Sequence, residues 1–160
     1  MTLRLTKRGL WAFGRWLPCS IGRTGVTHTK REGDGATPAG EHRIVACFYR
    51  PDRISCPNVW AMPILPGDVW SDDVRDRAYN HLVRTPHPFS HEVMRRPDPL
   101  YDVVLQLDWN WPIARPGMGS AIFIHQQRRP GYPTAGCIGL SRKDLLWLAS
   151  RTTPGMLVRV

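Results

Sequence analysis

Short apolar runs separated by turn residues dominate the pattern of hydrophobic and polar positions along this chain. Several runs are rich in β-branched and aromatic side chains and are bounded by Gly, Pro or polar clusters, which predicts short strands. These predicted strands span residues 41–49, 100–107, 121–124, 134–140 and 157–160. The chain is therefore expected to be built mainly from strands joined by many turns.

The two ends of the chain complete this picture. Alternating apolar positions at Leu3 and Leu5, followed by residues 10–12, predict a first hairpin. Ser141 is suited to cap a helix that follows the strand over 134–140 and ends before Pro154. Many strands with one clear helix predict an α+β fold that is mostly β, with one or two short helices.

Residues 51–99 form the least regular region. Eight prolines lie in this stretch, and they argue against long helices and central strands there. An irregular segment of this length inside a compact domain is usually functional.

Length and composition fit one soluble globular domain over residues 1–160. The chain has 42% hydrophobic and 22% charged residues, and no run approaches the roughly 18 apolar residues of a membrane span. The formal net charge of +9 comes almost entirely from arginine, which binds carboxylates and phosphates well. This charge indicates either an acidic partner or a solvated basic surface. No helix-turn-helix or RNA-binding pattern is present, so a nucleic-acid partner is not predicted.

The four cysteines contain no CxxC pair, and neither a structural zinc site nor any other metal is predicted. Cys47 and Cys56 are near enough in sequence to pair in an oxidising compartment, although nothing else supports that pairing. Cys19 lies in an alternating apolar and polar stretch and is expected to be a core residue.

Residues 120–140 carry the chemistry. An apolar run ends on His125, a polar loop over 126–133 follows, and the chain returns through Gly136 and Cys137. If the two strands are neighbours, the thiol lies close to the imidazole, which would draw the proton from sulfur and lower the cysteine pKa. The alternative is a buried structural cysteine beside an ordinary histidine, which spacing alone leaves open.

Gly136 favours the catalytic interpretation. A glycine before a nucleophile permits a tight turn and a close approach of the backbone to a ligand. The N–H groups of Gly136 and Cys137 are then expected to face a developing oxyanion.

These residues resemble the active-site pattern of the L,D-transpeptidases, the YkuD-type catalytic domain. The resemblance rests on His125 followed by residues 134–138, and on the Thr-Pro-x-Gly segment within residues 30–40. Further pairs and triplets match a compact proteobacterial branch of the family. These are Asp72-Asp73, Tyr79-Asn80, Ser90-His91-Glu92 and Tyr101-Asp102. The resemblance covers about residues 22–160 and implies a compact YkuD-like β-sandwich or barrel-like domain.

The resemblance also implies a mechanism without metal or organic cofactor. Cys137 would attack an L-to-D peptide bond, His125 would act as base and then acid, and the backbone carbonyl of Gln126 would orient the imidazole. The chain departs from the commoner family pattern at Ala135, where a second histidine is usual, and at Gly139, where Arg or Asn often follows the cysteine. His125 would therefore be the only general base.

A set of polar residues is expected to contact the substrate. Arg128 and Arg129 are proposed for acidic groups, in place of the residue missing at Gly139. The remaining predicted contacts are Tyr79, Asn80, His91 and Thr134.

The implied partners are the donor and acceptor stem peptides of peptidoglycan. The resemblance to the compact branch implies 1-3 links, from L-Ala to diaminopimelate, and the wider family implies 3-3 links. Two alternatives are a carboxypeptidase or endopeptidase that hydrolyses stem peptides, and a non-catalytic wall-binding module. The function implies the periplasm, although the apolar patch over residues 9–13 is too short for the core of a signal peptide.

Overall fold

The computed structural model describes residues 1–160 and contains fifteen strands, one α-helix and one 3₁₀ turn. The strands are Thr2–Thr6 (β1), Gly9–Ala12 (β2), Arg15–Leu17 (β3), Cys19–Ser20 (β4), Val26–Thr27 (β5), Thr37–Pro38 (β6), Glu41–Tyr49 (β7), Met62–Pro63 (β8), Asp68–Ser71 (β9), Leu82–Arg84 (β10), His91–Val93 (β11), Val103–Leu107 (β12), Phe123–Gln126 (β13), Ile138–Leu140 (β14) and Leu157–Arg159 (β15). The 3₁₀ turn is Pro99–Tyr101 and the α-helix, α1, is Arg142–Ala149.

Ten of the strands form one sheet in the order β3-β2-β1-β15-β7-β12-β13-β14-β4, with β8 paired to β7. The outermost strands β3 and β4 are separated in sequence only by Pro18. The two ends of the sheet therefore approach each other, and the sheet curls into a nearly closed, barrel-like shape. Mostly antiparallel pairing is interrupted by three parallel pairs, β1–β15, β13–β14 and β7–β8.

The interior of the curled sheet holds the main hydrophobic core. Seventeen buried residues make up this cluster, and they come from most of the sheet strands and from α1. Leu145 and Leu148 are the buried leucines of the helix. The helix begins as the sequence predicts, because the Ser141 side chain accepts a hydrogen bond from the Asp144 N–H at 3.1 Å. α1 packs against β12 and β13.

Residues 51–99 contain a second, three-stranded sheet in the order β10-β9-β11. Its central strand β9 is buried at every position. The expectation that this region lacks a central strand is therefore wrong. The reason is that residues 68–71 contain no proline, so the prolines fall in the connections and leave β9 able to pair on both sides.

The predicted fold class is confirmed, because the domain is mostly β with a single short α-helix. No helix is long and apolar enough to cross a bilayer. All four cysteines are free thiols, including Cys47 and Cys56.

Candidate active site

The parallel pairing of β13 with β14 places the predicted nucleophile and base on the same side of the sheet. His125 is paired with Gly139, and Ile124 is paired with Ile138. Side chains of alternate residues share a face, so Cys137, two residues before Gly139, lies on the His125 face. Gly139 is closely packed, because a Cβ there would stand 3.1 Å from the Gln127 Cβ.

His125 and Cys137 both line one cleft of about 640 Å³. Its walls come from the glycine-rich segment before β6, the region between β11 and the 3₁₀ turn, and the loop that joins β13 to β14. This volume is in the range of small-molecule and peptide side-chain sites.

The Cys137 thiol is held by one short stretch of backbone. Its Sγ accepts a hydrogen bond from the Phe123 N–H at 3.3 Å and donates to the Ala121 carbonyl at 3.1 Å. Cys137 is only 9% exposed. Burial raises the pKa of the Cys137 thiol to about 12, because the thiolate would lose its hydration.

The His125 ring is oriented by the adjacent main chain. Its Nδ1 lies 2.8 Å from the Gln126 carbonyl oxygen and donates to it. The Nε2 atom then carries the lone pair of the neutral imidazole. The Tyr101 ring packs edge-on against the imidazole, with centroids 5.3 Å apart. His125 is 6% exposed, and burial lowers the pKa of the imidazole to about 4.

These two shifts correct the expected charge state of the pair. The sequence predicts a thiolate stabilised by an imidazolium, whereas burial keeps both groups neutral near pH 7. The thiol proton is directed to the Ala121 carbonyl, and the His125 Nε2 is unprotonated and able to accept a proton. The arrangement suits proton transfer during nucleophilic attack more than a preformed ion pair.

Gly136 occupies a position that no other residue fits. Its φ is +146°, and a Cβ there would stand 2.8 Å from the Ala36 carbonyl oxygen. The Gly136 N–H donates to the Thr134 hydroxyl at 3.1 Å, and that hydroxyl donates to the Cys137 carbonyl at 2.6 Å. The expectation that the Gly136 N–H faces an oxyanion is therefore corrected, since this donor is already paired.

The predicted substrate contacts divide into two groups. His91, Arg128 and Thr134 line the cleft. Arg129 does not line it, and its guanidinium lies over the Tyr132 ring, 4.9 Å from the centroid.

Tyr79 and Asn80 are also corrected. Each is only 2% exposed, and neither lines the cleft. The Tyr79 hydroxyl donates to the Glu32 carboxylate, and the oxygen and nitrogen of the Asn80 amide already have hydrogen-bond partners within the protein. Both residues lie outside the cleft and hydrogen-bond to residues that line it.

Sequence reasoning missed the carboxylates of the cleft. Glu32, Asp72 and Glu92 all line it. Glu92 accepts a hydrogen bond from the Tyr101 hydroxyl at 2.7 Å. Burial, together with the charges of Asp72 and Glu32, raises the pKa of Glu92. The resemblance pattern at Asp72 and Glu92 was the signal that could have found them.

Guanidinium and ammonium groups line the same cleft. Arg23, Arg96 and Arg128 contribute guanidinium groups, and the buried Lys30 is paired with Asp34. The cleft is therefore lined by charges of both signs. No group of three or more His, Cys, Asp or Glu side chains is arranged to hold a metal ion.

The domain is β-rich and carries a cysteine and an oriented histidine on one sheet face. These are the two side chains that an enzyme needs for acyl transfer through a cysteine. The family model for the YkuD domain, the L,D-transpeptidase catalytic domain, matches residues 5–160. The chain belongs to that family.

A solved structure similar to this chain is an L,D-transpeptidase from Mycobacterium smegmatis, at 15% sequence identity and a TM-score of 0.48. The match covers 99% of this chain and 57% of that one. A comparison with curated proteins found no match.

Proposed function

We propose that this protein is an L,D-transpeptidase that joins peptidoglycan stem peptides through a thioester on Cys137. The observation that carries the proposal is the placement of Cys137 and a neutral, oriented His125 in one cleft. Membership of the YkuD family supports the same reaction class.

The first half-reaction starts from the neutral pair. The thiol turns from the Ala121 carbonyl toward the His125 Nε2, which takes its proton as sulfur attacks the carbonyl carbon of an L-to-D peptide bond. The carbonyl oxygen becomes an oxyanion, and the Cys137 N–H is the proposed main-chain donor to it. His125 returns the proton to the leaving amine as the C–N bond breaks, which leaves a thioester.

The second half-reaction is the reverse with a new amine. The acceptor amine attacks the thioester carbonyl, His125 takes one of its protons, and the Cys137 sulfur leaves and recovers that proton. A new amide bond joins the two stem peptides. Water in place of the amine would give a free carboxylate, which is the hydrolase alternative.

The charges in the cleft fit such substrates. A stem peptide with diaminopimelate offers both ammonium and carboxylate groups near the reacting bond. Glu32, Asp72 and Glu92 are suited to the ammonium, while Arg23 and Arg128 are suited to the carboxylates. His91 and Thr134 line the same cleft and complete the proposed contacts.

The finer proposals concern the bond and the compartment. The resemblance to the compact family branch supports 1-3 links, from L-Ala to diaminopimelate, over 3-3 links. A substrate in the cell wall implies that the enzyme acts outside the cytoplasm, in the periplasm. The proposed unit of activity is the single domain over residues 1–160.

The test is product analysis with purified protein and defined stem peptides. Wild-type protein should yield cross-linked dimers and a transient acyl adduct on the Cys137 peptide, both read by mass spectrometry. Cys137→Ala should abolish both while the protein stays folded, at a cost of about 1–3 kcal/mol of unfolding free energy, since the Phe123 N–H and the Ala121 carbonyl lose their partner. Cys56→Ala is the matched control, because Cys56 is exposed and outside the cleft.

Each outcome has a separate meaning. Fragmentation of the dimer distinguishes 1-3 from 3-3 links. Shortened monomers without dimers would establish the carboxypeptidase or endopeptidase. Absence of any acyl adduct on wild-type protein would contradict the proposal and favour the non-catalytic wall-binding module.

A further inference from the structure

Asn80 is a buried asparagine whose side chain has every hydrogen-bonding position filled. Its Oδ1 accepts from the Trp70 indole N–H at 3.0 Å and from the Ala121 N–H at 2.9 Å. Its Nδ2 donates to the carbonyl oxygens of Trp109 at 3.2 Å and Asn110 at 2.7 Å. Asn80 thus ties the second sheet, through Trp70, to the residues that enter β13.

The residue it holds, Ala121, has an unfavourable backbone conformation. Its φ is +53°, in the left-handed region that residues with a Cβ seldom adopt. Such a conformation persists only where surrounding contacts enforce it. The hydrogen bond from the Ala121 N–H to Asn80 is the contact that does so here.

The conformation of Ala121 determines what the thiol contacts. With this φ, the Ala121 carbonyl accepts the Cys137 S–H at 3.1 Å, while the Phe123 N–H reaches the same sulfur. A carbonyl oxygen can accept from a thiol but repels a thiolate. The Ala121 contact therefore favours the neutral thiol and turns its proton away from the imidazole, whereas the Phe123 N–H favours the thiolate.

We propose that Asn80 is a positioning residue that keeps the Ala121 carbonyl against the Cys137 thiol and so holds the nucleophile in its protonated form before attack. The proposal rests on the proposed function for the role of the thiol. Its physical content, the effect of Asn80 on the ionisation of Cys137, is measurable without turnover.

Other groups also act on this thiol, and the test must leave them in place. Glu92 and Lys30 are the charged groups that act on Cys137, and Tyr101 and His125 lie in the same cleft. None of these four accepts a hydrogen bond from, or donates one to, the Asn80 amide. A change at Asn80 therefore leaves these four groups with their own hydrogen bonds, and Ala121→Val separates the Ala121 contact from the Trp70 ring, which packs on Phe123.

The variant is Asn80→Gly. Asn80 itself has a φ of +61°, which glycine adopts freely, so the change removes the side chain without straining the backbone at that position. The measurement is the rate of iodoacetamide alkylation of the Cys137 peptide, followed by mass spectrometry from about pH 6 to about pH 11. The wild-type midpoint, near the thiol pKa of about 12, lies above this range, so we expect about tenfold faster alkylation at each pH within it, which corresponds to a pKa about one unit lower.

Ala121→Val is a second variant that should displace the Ala121 carbonyl, here by changing the backbone conformation of residue 121 itself. It keeps the test valid if Asn80→Gly does not fold. A β-branched residue does not tolerate the left-handed region, so the carbonyl should leave the thiol and the profile should shift in the same direction. Asn58→Ala is the matched control. Asn58 also bonds the backbone through both amide atoms, at Ala149 and Trp60, but outside the cleft.

An unchanged profile in both Asn80→Gly and Ala121→Val would overturn the inference, and so would an equal shift in Asn58→Ala. Parallel assays of the wild-type protein separate the two proposals. A shifted profile without any cross-linking by wild-type protein rejects the proposed function alone. Cross-linking by wild-type protein with unshifted profiles rejects only the role of Asn80.

Discussion

At the scale of the residue, Gly136 shows how closely the backbone approaches its surroundings beside the thiol. Two independent constraints act on it, a φ of +146° and the Ala36 carbonyl oxygen 2.8 Å from where a Cβ would stand. The first constraint is conformational and the second is steric. Together they fix the peptide that precedes Cys137.

Gly136→Ala is therefore expected to cost about 2–5 kcal/mol of unfolding free energy, since backbone strain and overpacking add. Cross-linking activity should fall with it, because the Cys137 backbone would move. Urea unfolding followed by fluorescence measures the first effect, and dimer formation measures the second. Gly155→Ala is the control: its φ is +80° but nothing stands within 4 Å, so it should cost only about 1–2 kcal/mol. Equal losses in the two variants would show that the contact with Ala36 does not matter.

The sequence contained much of this residue-level information, but not the charge state. Order and spacing were enough to pair His125 with Cys137 and to single out Gly136. The neutral thiol and imidazole follow from burial, which depends on residues distant in sequence such as Tyr101. The same limit explains Asn80, whose polarity predicted a substrate contact although its partners lie inside the fold.

At the scale of the element, the connection between β13 and β14 is unusual. Parallel neighbours are normally joined by a long crossover that contains a helix. Here an irregular loop over residues 127–137 returns along the cleft and is pinned by a neighbouring segment. The Thr134 N–H donates to Ile21, and its carbonyl accepts from the Arg23 N–H. Thr134 thus anchors the loop that leads to Cys137.

Thr134→Val tests this role of the loop. Valine keeps the shape but removes the hydroxyl that accepts from Gly136 and donates to Cys137. Leaving these backbone groups unpaired should cost about 1–3 kcal/mol. A small displacement of the nucleophile should lower kcat/KM by roughly 10- to 100-fold. Thr134→Ser retains the hydroxyl and should behave nearly as wild type. If the serine and valine variants lose the same activity, the hydroxyl has no positioning role.

The elements themselves differ in how far the sequence predicts them. α1 and the strand over 41–49 carry strong local patterns, and both are confirmed. The strand predicted over 100–107 is shorter, Val103–Leu107, because Pro99–Tyr101 form a 3₁₀ turn. β9, with only four residues between proline-containing connections, carries no such pattern. Its position depends on pairing with β10 and β11, which local periodicity cannot show.

At the scale of the whole molecule, the net charge of +9 is arranged unevenly. Many arginines are paired with nearby aspartates, among them Arg50, Arg53 and Arg75. Arg23 and Arg128 line the cleft without a salt bridge. Composition showed an excess of arginine, but only the fold shows which guanidinium groups remain available to a substrate.

Global stability should also respond to pH through His125. Its pKa is about 4 in the folded protein against 6.5 in the unfolded chain, so only the unfolded state takes up a proton between these values. Unfolding free energy should therefore fall as pH drops from 6.5 to about 4, by about 3 kcal/mol at most. Glu92, whose pKa is raised, acts in the opposite sense.

The measurement is urea unfolding across this pH range for the wild-type protein and His125→Gln. Subtracting the two curves removes Glu92 and the aspartates, which contribute equally to both. The glutamine variant, which cannot titrate, should lose less stability than wild type between pH 6.5 and about 4. Parallel curves would contradict a buried, neutral His125.

The neutral Cys137 has one more consequence, which concerns oxidants. Peroxides and disulfides react with thiolates far faster than with thiols, so ionisation and access determine which cysteine is damaged. Cys56 is exposed, whereas Cys137 is buried with its proton bound to a carbonyl. The contact with the Ala121 carbonyl thus lowers the reactivity of the Cys137 sulfur toward oxidants, and we expect Cys56 to be oxidised before Cys137.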